Sequence, residues 1–478
     1  MKPRWITLIL VSTVMMMGYV FWDIASPIST TLKAPIEEGG MAWTSVEYGF
    51  YAGSYSIFNI FMLMLFFGGV ILDYMGIRFT GILATSMMLL GAAVNYYALM
   101  AISPESQVHI GFTLFGLIPG QMKLQVLIAA IGFGLFGVGC DITGITVSKI
   151  VTKWFTGHEL ASAMGLQVAM ARLGTASAIS FSPLIANSFG ISASVLAGVV
   201  LLLIGFMLFL VYVFMDKKRD EAVLSKHDTA LDLEYRGTDS NDGDRQAPVV
   251  QKTDTKEPND DFSFRDFLFI LRNPGFWLIA FLCVFFYSSM RPFMKFATDI
   301  LINKYGVAET TAGWIVSILP YGTIVLTPLF GSIYDKIGRG ATLMLIGSSI
   351  VTACHLFMSL PIASAPWMAA IIMLLHGVAF SIVPSALWPS VPKIVPLKQL
   401  GTAYSIIYYV QNIGLMVVPI YIGMLIDDSN ASSNGCSLPM LSFTLLGVAA
   451  VIICLALIAL DRKKDFGLER PNIKKSSK

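Results

Sequence analysis

The chain has 478 residues, of which 55% are hydrophobic and only 13% are charged. A soluble domain carries roughly 25% charged residues, because its surface faces water. The mean hydropathy of +0.72 excludes a soluble globular enzyme, and the net charge of only +2 gives no indication of nucleic-acid binding. The composition predicts a protein that lies in a lipid bilayer.

Apolar runs long enough to cross a bilayer recur along the whole chain. A helix needs about 20 largely apolar residues to cross a hydrocarbon core of roughly 30 Å, and Leu124–Gly139 and Val195–Met215 contain no charged residue. We predict an all-α integral membrane fold with twelve transmembrane helices. The predicted spans are about 5–30, 46–72, 79–101, 124–148, 158–186, 191–215, 275–301, 309–333, 341–360, 366–390, 400–426 and 439–461.

A hydrophilic stretch separates the sixth predicted span from the seventh. From Asp216 to Asp261 it is rich in charged and small polar residues, so it cannot bury enough apolar surface to become ordered. We therefore divide the chain into four parts. These are an N-terminal six-helix bundle at 1–215, a flexible cytoplasmic linker at 216–274, a C-terminal six-helix bundle at 275–461 and a cytoplasmic tail at 462–478.

The basic residues of the connecting segments predict the orientation, because cytoplasmic loops carry an excess of Lys and Arg. One side carries Lys2, Arg4, Arg78, Lys149, Lys153, Lys217, Lys218, Arg219, Lys336, Arg339, Lys393, Lys398, Arg462, Lys463 and Lys464. The other side carries little more than Lys33, Lys123 and Lys304. Both termini are therefore predicted to be cytoplasmic, which requires an even number of spans.

The loop after the second span is repeated after the eighth. The first copy contains Gly69, Asp73, Gly76 and Arg78, and the second contains Gly331, Asp335, Gly338 and Arg339. A single copy is also compatible with an ordinary polar turn. Two copies at equivalent places indicate two six-helix halves related by a pseudo-two-fold axis along the membrane normal. The loop resembles the signature of the major facilitator superfamily (MFS), and we expect its Asp and Arg residues to gate the cytoplasmic side.

Asp141 and Arg172 are the strongest candidates for a binding site. They lie in the fourth and fifth predicted spans, and an ionisable group in hydrocarbon is costly unless it faces a cavity or a partner. One hypothesis is a charged cavity that binds a zwitterion, in which Arg takes a carboxylate in bidentate fashion and Asp holds an ammonium group. The alternative is a buried ion pair that only locks the two helices together.

Other ionisable residues are candidates for coupling or gating. Asp23 lies towards the outer end of the first span, where a gate and a solvated helix end are both compatible with the sequence. Arg291, Lys295 and Asp299 recur every four residues in the seventh span, so they either pair with one another or line an outer vestibule. His376 in the tenth span is a candidate proton carrier, the alternative being a hydrogen-bonded packing residue.

Polar and aromatic residues at mid-depth are further candidates for the cavity, although most tyrosines in such spans serve packing or the membrane interface. They are Tyr55, Asn59, Trp388, Tyr404, Tyr408 and Gln411.

Several strings resemble the transporters grouped with major facilitator superfamily domain-containing protein one, which are lysosomal dipeptide transporters. The resemblance is carried by Trp154–Leu160, Gly165–Gln167, Met170–Gly174, Ala386–Pro389, Gln399–Tyr404 and Gln411–Asn412. It implies transport of dipeptides held at their charged ends. It also implies that Asp141, Arg172 and Gln167 lie near the substrate. A member of that family carries Glu where this chain has Asp141, and the Asp side chain is shorter by one methylene.

We therefore expect a transporter of dipeptides or similar zwitterions that works by alternating access and is not an enzyme. The chain has no nucleotide-binding G-x-x-x-x-G-K-[ST] motif, so ATP-driven pumping is not expected. We expect no cofactor or metal and no nucleic-acid partner. The expected partners are a small-molecule substrate, the lipid bilayer and, as a candidate coupling ion, the proton. The expected state is a monomer in a prokaryotic cytoplasmic (inner) membrane.

Two alternatives remain open at this point. An organic or inorganic anion carrier of the same fold would use Arg172 and Arg291 as an anion clamp. A membrane sensor or scaffold would bind a ligand without moving it.

Overall fold

The computed structural model describes residues 3–111, 120–155, 160–238, 270–360, 365–396, 400–430 and 437–471. The helices of the first part are α1 (Pro3–Asp23), α2 (Ser29–Lys33), α3 (Ser45–Ser54), α4 (Ile57–Phe61), α5 (Met64–Ala101), α6 (Leu124–Phe155), α7 (Leu160–Phe189) and α8 (Ile191–Thr238). The helices of the second part are α9 (Pro274–Tyr305), α10 (Glu309–Ile337), α11 (Gly340–Ser359), α12 (Pro366–Ile394), α13 (Leu400–Asn430) and α14 (Ser437–Lys464). A short antiparallel pair, β1 (Gln107–His109) and β2 (Gln121–Lys123), lies between α5 and α6.

Within these described residues, eleven helices are long and apolar enough to cross a membrane. The predicted span 46–72 is the exception, because α3, α4 and the first turns of α5 divide it into three pieces. The backbone of α5 is then interrupted at Gly76, where a new helical stretch begins. The all-α membrane fold is confirmed, and the interrupted second span accounts for the difference between twelve predicted spans and eleven continuous ones.

The break between α3 and α4 lies against a glycine of α6. A Cβ atom at Gly137 would overlap the backbone carbonyl of Tyr55, so only a residue without a side chain allows this close approach. Leu63, which precedes α5, adopts a left-handed conformation with φ of 51°. The broken span therefore packs directly on α6 and places Tyr55 and Asn59 beside it.

The two halves pack symmetrically. α3 of the second span packs on α13 of the eleventh, and α7 of the fifth packs on α10 of the eighth. The second span of each half thus contacts the fifth span of the other half. Gly49 and Gly423 bring the backbones together at the first of these contacts, because Cβ atoms there would meet the backbones of Pro419 and Ser45.

The two repeated loops have similar backbone conformations. Gly76 has φ of 77° and Gly338 has φ of 75°, a region that residues with side chains adopt only at a cost. Arg339, next to the second glycine, is also left-handed, with φ of 58°. The sequence repeat therefore corresponds to a structural repeat at the same end of both halves.

The structure differs from the sequence prediction after the sixth span. α8 continues to Thr238, so the first part of the predicted flexible linker 216–274 is helical, while residues 239–269 lie outside the described part. The charge of this stretch suggested a solvated chain. Asp216 is instead fully buried among basic residues, and this pairing explains why the helix persists beyond the apolar run.

Candidate functional site

Ion pairs join the two halves at one end of the bundle. We call the end that carries Pro3 and Lys464 the termini side and the opposite end the distal side. On the distal side, the Lys295 Nζ lies 2.7 Å from the Asp23 Oδ1, and the Lys33 Nζ lies 2.5 Å from the Asp299 Oδ2. Lys295 and Asp299 therefore bind residues of the first half. They do not pair with each other within α9, and they do not line an open outer vestibule.

A helix cap also joins the halves on the distal side. The carboxylate of Asp427 in α13 accepts hydrogen bonds of 2.9 Å from the backbone N–H groups of Ser45 and of Val46. The first amides of a helix have no partner inside that helix, and a carboxylate near them is also favoured by the helix dipole. The start of α3 is thus capped from the opposite half. We call this cap and the two ion pairs the distal network.

Asp141 lies midway along α6 and is held by the broken second span. The Tyr55 hydroxyl donates to the Asp141 Oδ1 at 2.7 Å, and the Asn59 amide donates to the Oδ2 at 2.6 Å. Both donors are buried, whereas Asp141 itself is half-buried. Two neutral donors orient a carboxylate without cancelling its charge, so Asp141 remains able to bind a cation.

Arg172 in α7 points to the second half. Its guanidinium carbon lies 4.6 Å from the centre of the Phe380 ring in α12, a cation–π arrangement. Among the described residues, no ion pair joins Arg172 to Asp141, whose hydrogen bonds come from Tyr55 and Asn59. The structure therefore does not contain the locking ion pair that was the alternative for these two residues.

Arg291 in α9 approaches the same ring from the other half. Its guanidinium carbon lies 5.3 Å from the centre of the Phe380 ring, 4.8 Å from that of Trp22 and 6.0 Å from that of Tyr19. Trp22 in turn stacks on Tyr55, with ring centres 4.3 Å apart and planes at 4°. An aromatic layer thus separates Arg291 from the Asp141 carboxylate.

These side chains form one group at the interface between the halves, which we call the central cluster. Its members are Asp141, Arg172, Arg291, Tyr19, Trp22, Tyr55 and Phe380. It contains one carboxylate, two guanidinium groups and four rings. Such a cluster can bind a small molecule that carries opposite charges on a short, partly apolar frame.

An aromatic group of the second half adjoins the central cluster. Phe380 contacts Tyr287 with ring centres 5.9 Å apart, and the Trp388 indole N–H donates to the Tyr287 hydroxyl at 3.2 Å. The Tyr404 hydroxyl donates to the backbone carbonyl of Trp388 at 3.2 Å, and Tyr408 stacks on the indole at 5.0 Å. Trp388 and Tyr404, both sequence candidates, are therefore connected to Phe380 through Tyr287.

Three other sequence candidates make their hydrogen bonds outside the central cluster. The Gln167 amide donates to the Ser148 hydroxyl at 3.1 Å, which joins α7 to α6. Gln411 accepts a weak hydrogen bond from the Cys283 thiol at 3.5 Å. His376 is buried, with its Nδ1 2.8 Å from the Ile372 carbonyl. These contacts are those of residues that pack helices together.

The arginines of the two repeated loops contact residues of their own halves. The Arg78 Nε lies 2.7 Å from the buried Asp216 carboxylate, and Arg78 also pairs with Asp220. The Arg339 side chain is exposed, and its backbone N–H donates to the Glu469 carbonyl at 3.0 Å. Asp335 is half-buried in the last turn of α10, whereas the side chain of Asp73 lies outside the described part.

A second sequence repeat supports these loops and was missed by sequence reasoning. Each half carries a charged string that follows the apolar run of its last helix. These strings are Asp216-Lys-Lys-Arg-Asp220 within α8 and Asp461-Arg-Lys-Lys-Asp465 at the end of α14. Asp216 accepts hydrogen bonds from Lys153 at the end of α6. In the second half the chain turns back after α14. Lys393, at the end of α12, then donates to the carbonyls of two residues that follow α14, Gly467 and Arg470.

Sequence reasoning also missed Tyr19, Trp22 and Phe380. No pattern distinguishes these rings from the many aromatic residues that pack in membrane spans, and only their contacts with Arg172 and Arg291 identify them. The Lys295–Asp23 pair could not be predicted either, because it joins spans one and seven, which are far apart in the sequence.

Comparison with known proteins agrees with this architecture. The sequence matches the Major Facilitator Superfamily over residues 108–419 and 293–476. The relatives of this sequence include proteins named lysosomal dipeptide transporter MFSD1. The Bos taurus protein is 27% identical over 377 residues, which cover 77% of this chain and 69% of the relative. The Homo sapiens protein is 25% identical over 422 residues, which cover 86% of this chain and 77% of the relative.

Solved structures share the fold. A bacterial homologue of the human lysosomal transporter Spinster, in an inward-facing and unoccupied conformation, has a TM-score of 0.63 and 14% identity, covering all of both chains. A D-xylose–proton symporter has a TM-score of 0.62 and 16% identity, covering 95% of this chain and 96% of that one. This multi-pass membrane protein is a transporter rather than an enzyme, and it belongs to the Major Facilitator Superfamily.

Proposed function

We propose that this transporter moves dipeptides or similar small zwitterions across the membrane. The central observation is that Asp141 and Arg172 present opposite charges at the interface of the halves without pairing with each other. The Asp141 carboxylate suits a peptide ammonium group, and the Arg172 guanidinium suits a carboxylate that it can bind with two parallel hydrogen bonds. The relatives named dipeptide transporters support this substrate class.

The mechanism is alternating access, in which the halves rock about the central cluster. The distal network holds one side closed, so the substrate exchanges with the termini side in this state. Opening of the distal side then requires that Lys295 leave Asp23 and that Asp427 release the start of α3. A substrate that bridges Asp141 of the first half and the Phe380 region of the second would draw the termini side together.

In this proposal the termini side faces the cytoplasm, and the protein lies in a prokaryotic inner membrane. The basic residues support this orientation, since Arg78, Lys153 and Lys393 lie at the termini side and cytoplasmic loops are rich in such residues. The loops at Arg78 and Arg339 then serve as cytoplasmic gate elements. The first is held by Asp216 of α8, and the second is held by the backbone of Glu469, which follows α14.

An anion carrier of the same fold is the second candidate. It is favoured by one observation, the approach of Arg172 and Arg291 to a single ring, since two cations close together attract an anion.

Uptake of labelled Ala-Ala into proteoliposomes separates these functions. We expect saturable uptake that excess unlabelled Gly-Gly inhibits and that glutamate alone does not. An anion carrier would leave the neutral dipeptide outside and would move glutamate or phosphate. A sensor or scaffold would bind the dipeptide without flux. Running the assay with and without a proton gradient determines whether protons are coupled to transport.

A further inference from the structure

Arg172 and Arg291 form an unusual pair, because they come from opposite halves and contact the same ring. Their guanidinium carbons lie 4.6 Å and 5.3 Å from the centre of Phe380, and the two groups interact electrostatically. Two like charges in a poorly solvated interface repel each other unless an anion lies between or beside them.

The two nearby carboxylates make their direct contacts with other side chains. Asp23 forms its ion pair with Lys295, and Asp141 accepts hydrogen bonds from Tyr55 and Asn59. Within the described residues, neither Arg172 nor Arg291 makes an ion pair with an acidic side chain. The central cluster therefore has one acidic and two basic groups, which leaves one positive charge in excess.

A neutral dipeptide cannot remove this excess. Its ammonium and carboxylate groups cancel, so the protein and substrate together keep one positive charge. A dipeptide with one acidic side chain carries a net charge of −1 at neutral pH. It supplies a second carboxylate, so each guanidinium has a carboxylate partner, and it makes the occupied site electrically neutral.

The position of the acidic residue follows from the geometry. The two guanidinium groups contact one ring, so two carboxylates on a single residue suit them better than carboxylates at opposite ends of a substrate. A C-terminal Asp or Glu residue has its main-chain and side-chain carboxylates on the same residue. An N-terminal acidic residue instead places its side chain near the ammonium group, and therefore near Asp141.

We propose that Arg291 is a second carboxylate-binding residue and that the preferred substrates are dipeptides with an acidic residue at the C-terminal position. This inference rests on the proposed function, because it takes dipeptides as the transported class. Arg172 binds the main-chain carboxylate and Asp141 the ammonium group, while Arg291 selects the side chain.

The test compares three dipeptides as competitors of labelled Ala-Ala uptake into proteoliposomes. Ala-Glu and Ala-Gln differ only in the side-chain charge, and Glu-Ala has the same charge as Ala-Glu at the other position. We expect Ala-Glu to inhibit at a concentration at least tenfold lower than either of the others, and tenfold corresponds to about 1.4 kcal/mol. Equal inhibition by Ala-Glu and Ala-Gln would overturn the proposal and leave dipeptide transport intact.

Variants identify the residue responsible. In Arg291→Gln the ratio between Ala-Gln and Ala-Glu inhibition constants should fall towards one, and Arg291→Lys should retain part of it. Lys217→Ala removes an exposed positive charge, 69% accessible, outside the central cluster, and should leave the ratio unchanged. An unchanged ratio in Arg291→Gln would refute the role of Arg291.

Should that variant fail to fold, the competition experiment with the wild type still decides whether a C-terminal acidic residue is preferred. Absence of any dipeptide flux, with uptake of free glutamate, would refute the proposed function and this inference with it.

Discussion

Lys295 in α9 donates a hydrogen bond of 2.7 Å to the carboxylate of Asp23 at the end of α1, and the same ammonium group donates to the Trp22 carbonyl at 2.6 Å. The side chains of Lys295 and Asp23 are both buried. A buried ion pair is stable only while both charges are present, so this contact makes closure of the distal side depend on two residues from opposite halves.

We predict that Asp23→Asn destabilises the closed distal side strongly. Loss of one partner leaves a buried uncompensated charge, which costs about 3–5 kcal/mol. The thermal unfolding temperature in detergent should fall, and transport should be impaired. The double variant Asp23→Asn with Lys295→Met should regain much of the lost stability, because neither charge remains. A double variant that is as unstable as the sum of both single variants would show that the two residues do not interact.

We predict that Asp427→Ala shifts the protein towards an open distal side. The substitution removes both hydrogen bonds to the start of α3, and loss of a helix cap costs about 1 kcal/mol. The population of the open state should rise several-fold. Spin labels at Glu105→Cys and Ala308→Cys, one in each half, report the distance across this side by electron resonance.

Thr44→Ala is the matched control for this cap. Thr44 accepts a hydrogen bond from the Glu47 N–H within the same helix end, so its loss weakens α3 without affecting the opposite half. The control should lower stability and leave the distance distribution unchanged. The same shift in both variants would mean that Asp427 acts on the stability of α3 and not on closure.

We predict that Tyr55→Phe weakens substrate binding through Asp141. The variant removes one of the two hydrogen bonds to that carboxylate, and a hydrogen bond to a charged group contributes about 1.5–3 kcal/mol. The KM of transport should rise by about tenfold or more. Tyr51→Phe is the matched control, because the Tyr51 hydroxyl accepts a hydrogen bond from Asn95 instead. An equal change of KM in both variants would contradict the orienting role of Tyr55.

We predict that Asp216→Asn destabilises the termini side of the first half. Asp216 is fully buried and contacts Arg78 and Lys153. With a neutral amide in its place, these two cations keep only the exposed Asp220 as an acidic partner, so the loss should be about 1.5–3 kcal/mol. Thermal unfolding measures the loss. Asp465→Asn, in the equivalent string of the second half, removes an exposed pair with Arg470 and should cost less than about 1 kcal/mol. Equal losses would contradict the difference in burial.

Much of the fold was predictable from the sequence because the bilayer imposes strict rules. Long apolar runs predict the spans, and the repeat at Asp73 and Asp335 predicts the two halves. The interruption of the second span was not predictable, since it depends on the contact between Tyr55 and Gly137 of another span. The helical extension beyond Asp216 was not predictable either, because its charges are paired across helices.

The candidate site was predictable only in part. Asp141 and Arg172 are identified by the cost of charge in hydrocarbon, and Tyr55 and Asn59 indeed contact Asp141. The partners that complete the cluster are rings, and rings are common in every span. Phe380 acquires its role only because two guanidinium groups from different halves converge on it. The substrate roles of these residues remain predictions.

The most direct test of the account is uptake of labelled Ala-Ala by proteoliposomes that contain the wild type, Arg172→Ala or Asp141→Ala. The exposed-charge variants Lys217→Ala and Glu221→Gln serve as matched controls, since this pair lies outside the central cluster. We expect saturable uptake in the wild type and in both controls, and loss of uptake in both cluster variants. Folded cluster variants that transport Ala-Ala as well as the wild type does would contradict the site, and a folded wild type that does not transport it would contradict the substrate.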